Sequence, residues 1–441
     1  MNVNPNSGIL SKKKLIVKKL FVIILLMSAA IYGQPREKHP EGFRTFRQLK
    51  PTIQVVPISD SIISVSYLYR IPYSLLVFEK DGNKFKSSAR IMVEVRKGDE
   101  MIKRDFADKK ISVADFDITQ SKAASIEGVI YFDLEANDYK ISGIVSDLQS
   151  EKEFVLSPVD IKGLEYVGAK IFNPIIISFA ESDCSDKNLP LVINYGGSIP
   201  FSPQEYQIII PIADTTIESI NIELVNNDEQ PTSQTVTESY ITGISTIECN
   251  GKLYIGKDDK VQKTKNFVLR NFSHTLNEGK MVLTISSGDN LEEHDFPIRV
   301  EWINKPRSLR NPEFAIEMLQ YIEKEEIVSE LLDSDSEEYQ KLLHEYWKEF
   351  DPTPKTEYNE LMEEFYFRID YAASEFRGLS KRTGLSTDRG KIYIKFGDPY
   401  NIERSSTELG YIMETWNYNN PKQTFIFIDK QGTGNFVLVN G

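Results

Sequence analysis

The chain has 441 residues, with 52 Lys and Arg against 65 Asp and Glu for a formal net charge of −13, and only 4 His and 2 Cys. Such an acid excess is repelled by nucleic-acid phosphates and anionic membrane surfaces, which are bound by clustered Lys and Arg, so nucleic acid is not an expected partner. The length exceeds what one core fills and implies two to four domains.

The first 33 residues read as a secretory signal peptide. Lys12, Lys13, Lys14, Lys18 and Lys19 precede the apolar run Leu20–Ala30, and small residues lead to cleavage after Gly33. A membrane anchor is the rival reading, but the run falls short of the roughly 20 apolar residues that cross a bilayer. Without this segment the chain carries 47 basic and 65 acidic side chains, a net of −18. The expected location is periplasmic or secreted, with no integral membrane span after cleavage.

A polar leader covers 34–52. Period-2 apolar runs separated by Asp-Gly, Lys-Gly-Asp and Asn-Asp turns then predict strands at Ser61–Tyr69, Leu75–Phe78, Arg90–Val95, Val129–Leu134 and Lys140–Val145. A second set follows from Pro174–Phe179 to Phe296–Trp302. This spacing favours two immunoglobulin-like β-sandwiches, 53–160 and 161–305, over any parallel sheet. Their boundary is placed near Ser157–Gly163, where Pro158 and Gly163 interrupt the pattern.

The pattern changes after Pro306. Asn311-Pro312 offers a helix cap followed by proline at the first helical position. Tyr339, Leu342, Leu343, Tyr346, Trp347 and Phe350 form a stripe at helical spacing, ended by Asp351 and Pro352. Thr356 is read as the cap of the next helix, whose buried face holds Leu361, Phe365, Ile369, Ala372, Ala373 and Phe376. Lys391–Phe396, Tyr411–Tyr418, Thr424–Asp429 and Asn435–Val439 read as an antiparallel meander. The helices (312–378) and strands (391–439) together form one α+β domain, 306–441. The expected fold is thus mainly β with an α+β C-terminal part.

Cys184 and Cys249 lie in turn-like contexts, and export permits a disulfide; a bridge and two unpaired thiols both fit. Two such ligands without nearby histidine fall short of a zinc set. No metal or other cofactor is expected.

Gly384-Leu385-Ser386-Thr387-Asp388-Arg389-Gly390, with Gly397-Asp398-Pro399 after it, resembles the signature of the GWxTD domain family, with Leu385 where the family has tryptophan. Trp302, Asn311-Pro312-Glu313, Tyr346-Trp347, Asp351-Pro352, Asn359-Glu360, Tyr366, Arg368, Phe376, Glu414, Trp416, Phe427, Asp429 and Gly432-Thr433-Gly434 extend the likeness in order over about a third of the chain. The resemblance implies an exported protein of a Gram-negative bacterium and brings no defined activity. If the family's tryptophan packs its loop, Leu385 keeps an apolar plug; if it stacks on a ligand, that contact is lost. We take the packing reading.

The residues singled out each have a plain reading and a chemical one. Thr387, Asp388 and Arg389 fit a turn in which aspartate accepts backbone amides; chemically, Asp388 could act as a base and Arg389 could orient an anion. Asp351 before Pro352 fits a helix stop. Glu414 and Trp416, two apart, share one face of a strand and fit a half-buried ion pair or a carbohydrate platform. Asp333–Glu338 opens like a calcium loop, but the glycine at the sixth position and the terminal glutamate are missing. His344-Glu345 has Lys348 where a zinc helix needs its second histidine. There is no nucleophile elbow and no phosphate loop.

Residues 312–378 hold 19 acidic and 6 basic side chains, and 381–404 reverse the balance with 6 basic and 3 acidic. The basic stretch is expected to meet the acidic helices, whose outer face could take a basic protein. The sequence therefore points to a non-enzymatic envelope protein that contacts another envelope protein. The alternatives are a peptide or glycan hydrolase acting through the Asp388 loop and a glycan-binding protein.

Overall fold

A computed structural model describes residues 50–440 except 122–123, 180–181, 183, 185, 187, 194–196, 228, 288–290 and 379–382. The signal segment and most of the leader lie outside the described residues. Among those described, one compact unit holds 50–304 and 355–358, and another holds 305–354 and 359–440. The chain is mainly β, with an α+β C-terminal part.

In the β unit, β1 (Thr52–Ser59), β2 (Ile62–Pro72) and β6 (Ser125–Glu135) form a three-stranded sheet. A second sheet runs β3 (Glu79–Asp81), β4 (Lys84–Lys97), β7 (Asp138–Asp147), β8 (Glu153–Lys162), with β5 (Glu100–Val113) paired along β4. Ile63, Val65, Tyr67 and Ile71 of the first sheet close a core against Ile91, Val93, Ile141 and Leu156 of the second. Two short helices, α1 (Phe116–Thr119) and α2 (Gly163–Val167), lie between strands.

The later strands are β9 (Ile175–Ser178), β10 (Leu191–Val192), β11 (Ser198–Pro200), β12 (Gln207–Ile212), β13 (Ile220–Asn226), β14 (Thr232–Val236), β15 (Ser239–Thr242), β16 (Ile244–Cys249), β17 (Lys252–Lys257), β18 (Thr264–Leu269), β19 (Gly279–Ser287) and β20 (Leu291–Glu301). They build a seven-stranded sheet β15-β18-β12-β9-β10-β17-β16 and a five-stranded sheet β11-β20-β19-β13-β14. Ile208, Ile210, Phe267 and Leu269 of one meet Ile220, Ile222, Leu283 and Ile285 of the other. The opposite face of the seven-stranded sheet is also dry: Ile177, Ile209, Leu253 and Ile255 cluster with Leu68 of β2. Strand β2 is therefore buried on both faces, which its Ser-Val-Ser-Tyr-Leu-Tyr run does not announce. Cys184 and Cys249 are joined in this unit, with Cα atoms 6.1 Å apart.

Two local expectations fail here, and one strand has no counterpart among those expected. Leu75–Phe78 is not a strand: Tyr73–Leu75 make one 3-10 turn after Pro72. The break in the strand pattern expected over Ser157–Gly163 comes only at Gly163: Ser157–Lys162 is the second half of β8, where a register irregularity takes up Pro158 on an edge strand. The sequence pattern does not predict β5, because its charged residues hide the alternation. It is an edge strand exposed along most of its length.

The C-terminal unit starts with α3 (Pro312–Met318), α4 (Glu325–Leu332), α5 (Tyr339–Lys348) and α6 (Glu360–Glu375). Asn311 caps α3, its side chain accepting from Phe314 N at 3.3 Å. Asn359, not Thr356, caps α6: it accepts from Met362 N at 2.9 Å and donates to Trp347 O at 2.9 Å, whereas the Thr356 hydroxyl donates to Tyr358 O. Asp351 accepts from the amide of Thr353 at 2.8 Å, a turn that leads through Pro352 out of α5.

The main correction concerns Lys391–Phe396. It is not the first strand of the meander but the body of a helix, α7 (Asp388–Phe396). Its buried residues Gly390, Tyr393 and Ile394 are spaced three and four apart, and Thr387 caps it by accepting from Gly390 N at 3.1 Å. The meander begins later: β21 (Asn401–Ser406), β22 (Ile412–Asn419), β23 (Lys422–Asp429) and β24 (Val437–Asn440), paired in that order.

Candidate functional site

The signature loop is a single 3-10 turn, Gly384–Ser386, wedged between α6 and α7. Contact is so close that only glycine fits at two positions. A Cβ on Gly384 would stand 1.9 Å from Ala372 O, and one on Gly390 would stand 2.0 Å from Gly384 O. The Thr387 hydroxyl donates to Gly384 O at 2.7 Å, so one side chain ties the turn to the helix it caps. Leu385 is buried, and its carbonyl accepts the Tyr321 hydroxyl at 3.1 Å. At the tryptophan position of the signature, the side chain is therefore a plug in the packing.

Asp388, in the first turn of α7, is half-buried and its Oδ2 accepts from Leu438 N of β24 at 2.9 Å. The carboxylate thus pins the last strand to the helix. Arg389, next in the chain, lies between two rings, 4.0 Å from the centroid of Phe436 and 5.4 Å from that of Phe376. It donates to Glu414 Oε2 at 3.1 Å and to Gly434 O at 3.2 Å. Burial lowers the pKa of its guanidinium below the usual arginine value, and Glu414 opposes that shift.

Glu414 and Trp416 do share a face of β22, the face turned inward. Glu414 is only 3% exposed and receives Arg389, the Arg404 Nε at 2.9 Å and the Trp416 indole at 3.3 Å. Trp416 is packed against Phe376 and Phe427 with centroids 5.4 and 5.0 Å away. A sugar platform needs an exposed ring, and this one is enclosed. The basic stretch was expected to meet the acidic helices; Arg389 and Arg404 instead converge on Glu414 of the sheet.

Two polar anchors complete the domain. Asp429 accepts from Gly434 N at 2.7 Å and Gln431 N at 3.1 Å. Burial pushes its pKa up, but the amides of Gly434, Gln431, Thr433 and Gly432 outweigh that and hold the carboxyl below the usual aspartate range. Arg368 of α6 is 2% exposed and bonds Glu364 at 2.7 Å and Lys395 O at 3.4 Å, lying directly under Gly397 where the chain leaves α7. The spacing Asp429, Gly432, Gly434 was a readable signal for a carboxylate-filled loop. For Arg368 the family likeness marked the position but the local pattern did not mark its burial, since a lone arginine in an amphipathic helix ordinarily faces water.

The structure thus gathers Gly384, Thr387, Asp388, Arg389, Gly390, Glu414 and Trp416 into one neighbourhood of α7, β22 and β24. Asp351 and Pro352 belong to the turn after α5. Among the described residues, no group of three or more His, Cys, Asp or Glu is placed to hold a metal ion, and no helix is long and apolar enough to cross a membrane.

The family model for the GWxTD domain matches residues 282–440, so this part of the chain is a GWxTD domain. The match starts inside β19, ahead of the boundary expected at 306. A comparison with curated proteins found none that matches the chain.

Proposed function

We propose that this is an exported cell-envelope protein without catalytic chemistry, whose GWxTD domain serves as a protein-contact module. The observation that carries the reading is how the signature residues are used. Asp388 holds β24, Arg389 and Arg404 neutralise Glu414, and Gly384 and Gly390 let the 3-10 turn lie close against the helices on either side of it. Polar groups already committed to partners within the fold are poor bases or nucleophiles. Export is supported by the Lys-rich start and apolar run of the first 33 residues. The contact surface we assign is the acidic outer face of the helices, where Glu326, Glu330 and Glu337 are exposed. It would take a basic patch on another envelope protein.

Crosslinking in native envelopes from exposed positions of α4 is expected to recover one envelope protein repeatedly. Glu326→Lys with Glu330→Lys should abolish that product while the fold persists. Recovery of the protein alone would overturn the reading. So would turnover of a peptide or glycan that disappears in Asp388→Asn, or selective binding on a glycan array.

A further inference from the structure

The outer face of the β3-β4-β7-β8 sheet carries an apolar row that crosses four strands. Met92 on β4 pairs with Phe106 on β5 and with Ile144 on β7, and Ile144 pairs with Val155 on β8. Directly paired residues project to the same side of an antiparallel sheet. The alternating neighbours Ile91, Val93, Val145 and Leu156 fill the core, so this row faces away from it. Phe106 is 56% exposed and Val155 69% exposed, with Met92 and Ile144 half-buried between them.

Polar rows flank it on both sides. On one side Asp108, Arg90, Ser146 and Glu153 are in register; on the other, Arg104, Glu94 and Ser142 are. Arg90 holds Asp108 through two bonds of 2.7 and 2.8 Å and lies 4.8 Å from the Phe106 centroid. Glu94 receives Arg104 and, at 3.2 Å, Arg96. An apolar centre with a charged rim is the anatomy of a protein interface.

We propose that two copies of the chain pair through this face, sheet on sheet, about a two-fold axis that runs along the apolar row. Such an axis lays the row on itself and exchanges the flanking rows. Asp108 then faces Arg104 of the second copy, and Arg90 faces Glu94 of the second copy. Ser146 faces Ser142. All four charged positions at the phenylalanine end meet the opposite sign, and no like charges oppose each other there. The strands of the two sheets run nearly aligned, as in a β-sandwich. A foreign partner would have to reproduce this order of charges; a second copy has it by symmetry. The inference does not depend on the role of the GWxTD domain.

Sedimentation velocity of the purified protein is expected to show a dimer in reversible equilibrium with monomer. Arg90→Glu with Arg104→Glu makes both rims acidic, and Glu94→Lys with Asp108→Lys makes both basic. Each double variant should raise the dimer dissociation constant on the order of thirtyfold or more, with circular dichroism unchanged. Mixed in equal amounts, the two should form a heterodimer, because every rim position again meets its opposite. Phe106→Ser should weaken pairing to a similar degree. A wild-type protein that stays monomeric at about 100 μM, well above what an interface of this kind requires, would overturn the proposal. Variants that pair like the wild type, or an equal mixture that fails to associate, would also overturn it.

Discussion

Glu414 shows how one buried charge is made tolerable. A carboxylate at 3% exposure is costly unless it is paired and fully hydrogen-bonded. Here two guanidinium groups and an indole N–H share it. The partners are not equal: the Arg389 side chain is 12% exposed and the Arg404 side chain 76%. Glu414→Gln leaves Arg389 without its counter-ion and should cost about 3 kcal/mol in urea unfolding. Arg404→Ala should cost less than about 1 kcal/mol, as surface pairs do. Asp429 gives the matching pH prediction. Its folded pKa lies below the unfolded aspartate value of about 3.9, so the native state binds fewer protons. The stabilisation is present above about pH 4 and is lost as pH falls through the folded pKa. Stability curves of Asp429→Asn against pH should therefore begin below the wild type at neutral pH and converge on it once pH falls below the folded pKa of Asp429. Curves that stay parallel throughout would contradict the assignment.

Helix α7 shows what a short run conceals. Lys391–Phe396 has isoleucines two apart, and over six residues a strand and a helix face cannot be separated by period. The deciding information lay just outside the run. Thr387 followed by Asp388 is a helix start, and Gly397, with φ of +74°, ends the helix. The same residues also fit a turn in which aspartate accepts backbone amides, and under that expectation the cap is a loop. By contrast, Asn311-Pro312 was legible because proline at the first helical position leaves little else for the chain to do. The cap is testable by itself. Thr387→Ala should lower stability by about 1 kcal/mol in thermal unfolding, and Thr387→Ser should restore most of it, since a hydroxyl at that place is what accepts from Gly390 N. Gly384→Ala should cost more than the cap variant, because its methyl group would meet Ala372 O and the turn must part from α6.

Among the described residues, the fold class could be read from the period of the pattern, and much of the neighbourhood of the signature could be read from the family likeness. What lay beyond reach was set by contacts remote in sequence. Strand β2 gives no sign that Leu68 will join Ile177 and Ile255 in a second core, since Leu68 and Ile255 come together only when their sheets stack. The pairing of Cys184 with Cys249 has the same character: 65 residues separate them, and no local pattern brings them together. A link over that span removes unfolded-state entropy worth about 4 kcal/mol in the chain-entropy account. Cys184→Ser with Cys249→Ser, or reduction of the wild type, should therefore lower the unfolding free energy of the β unit by about 2–4 kcal/mol. The loss should appear in fluorescence of Trp302, which this unit holds in an aromatic cluster with Phe201 and Tyr358. Trp302 must be followed with Trp347 and Trp416 replaced by phenylalanine, because those two lie in the other unit. An unchanged midpoint under reduction would mean that the surrounding strands hold residues 184 and 249 together without the bond. The stability of the β unit would then rest on its stacked apolar faces alone.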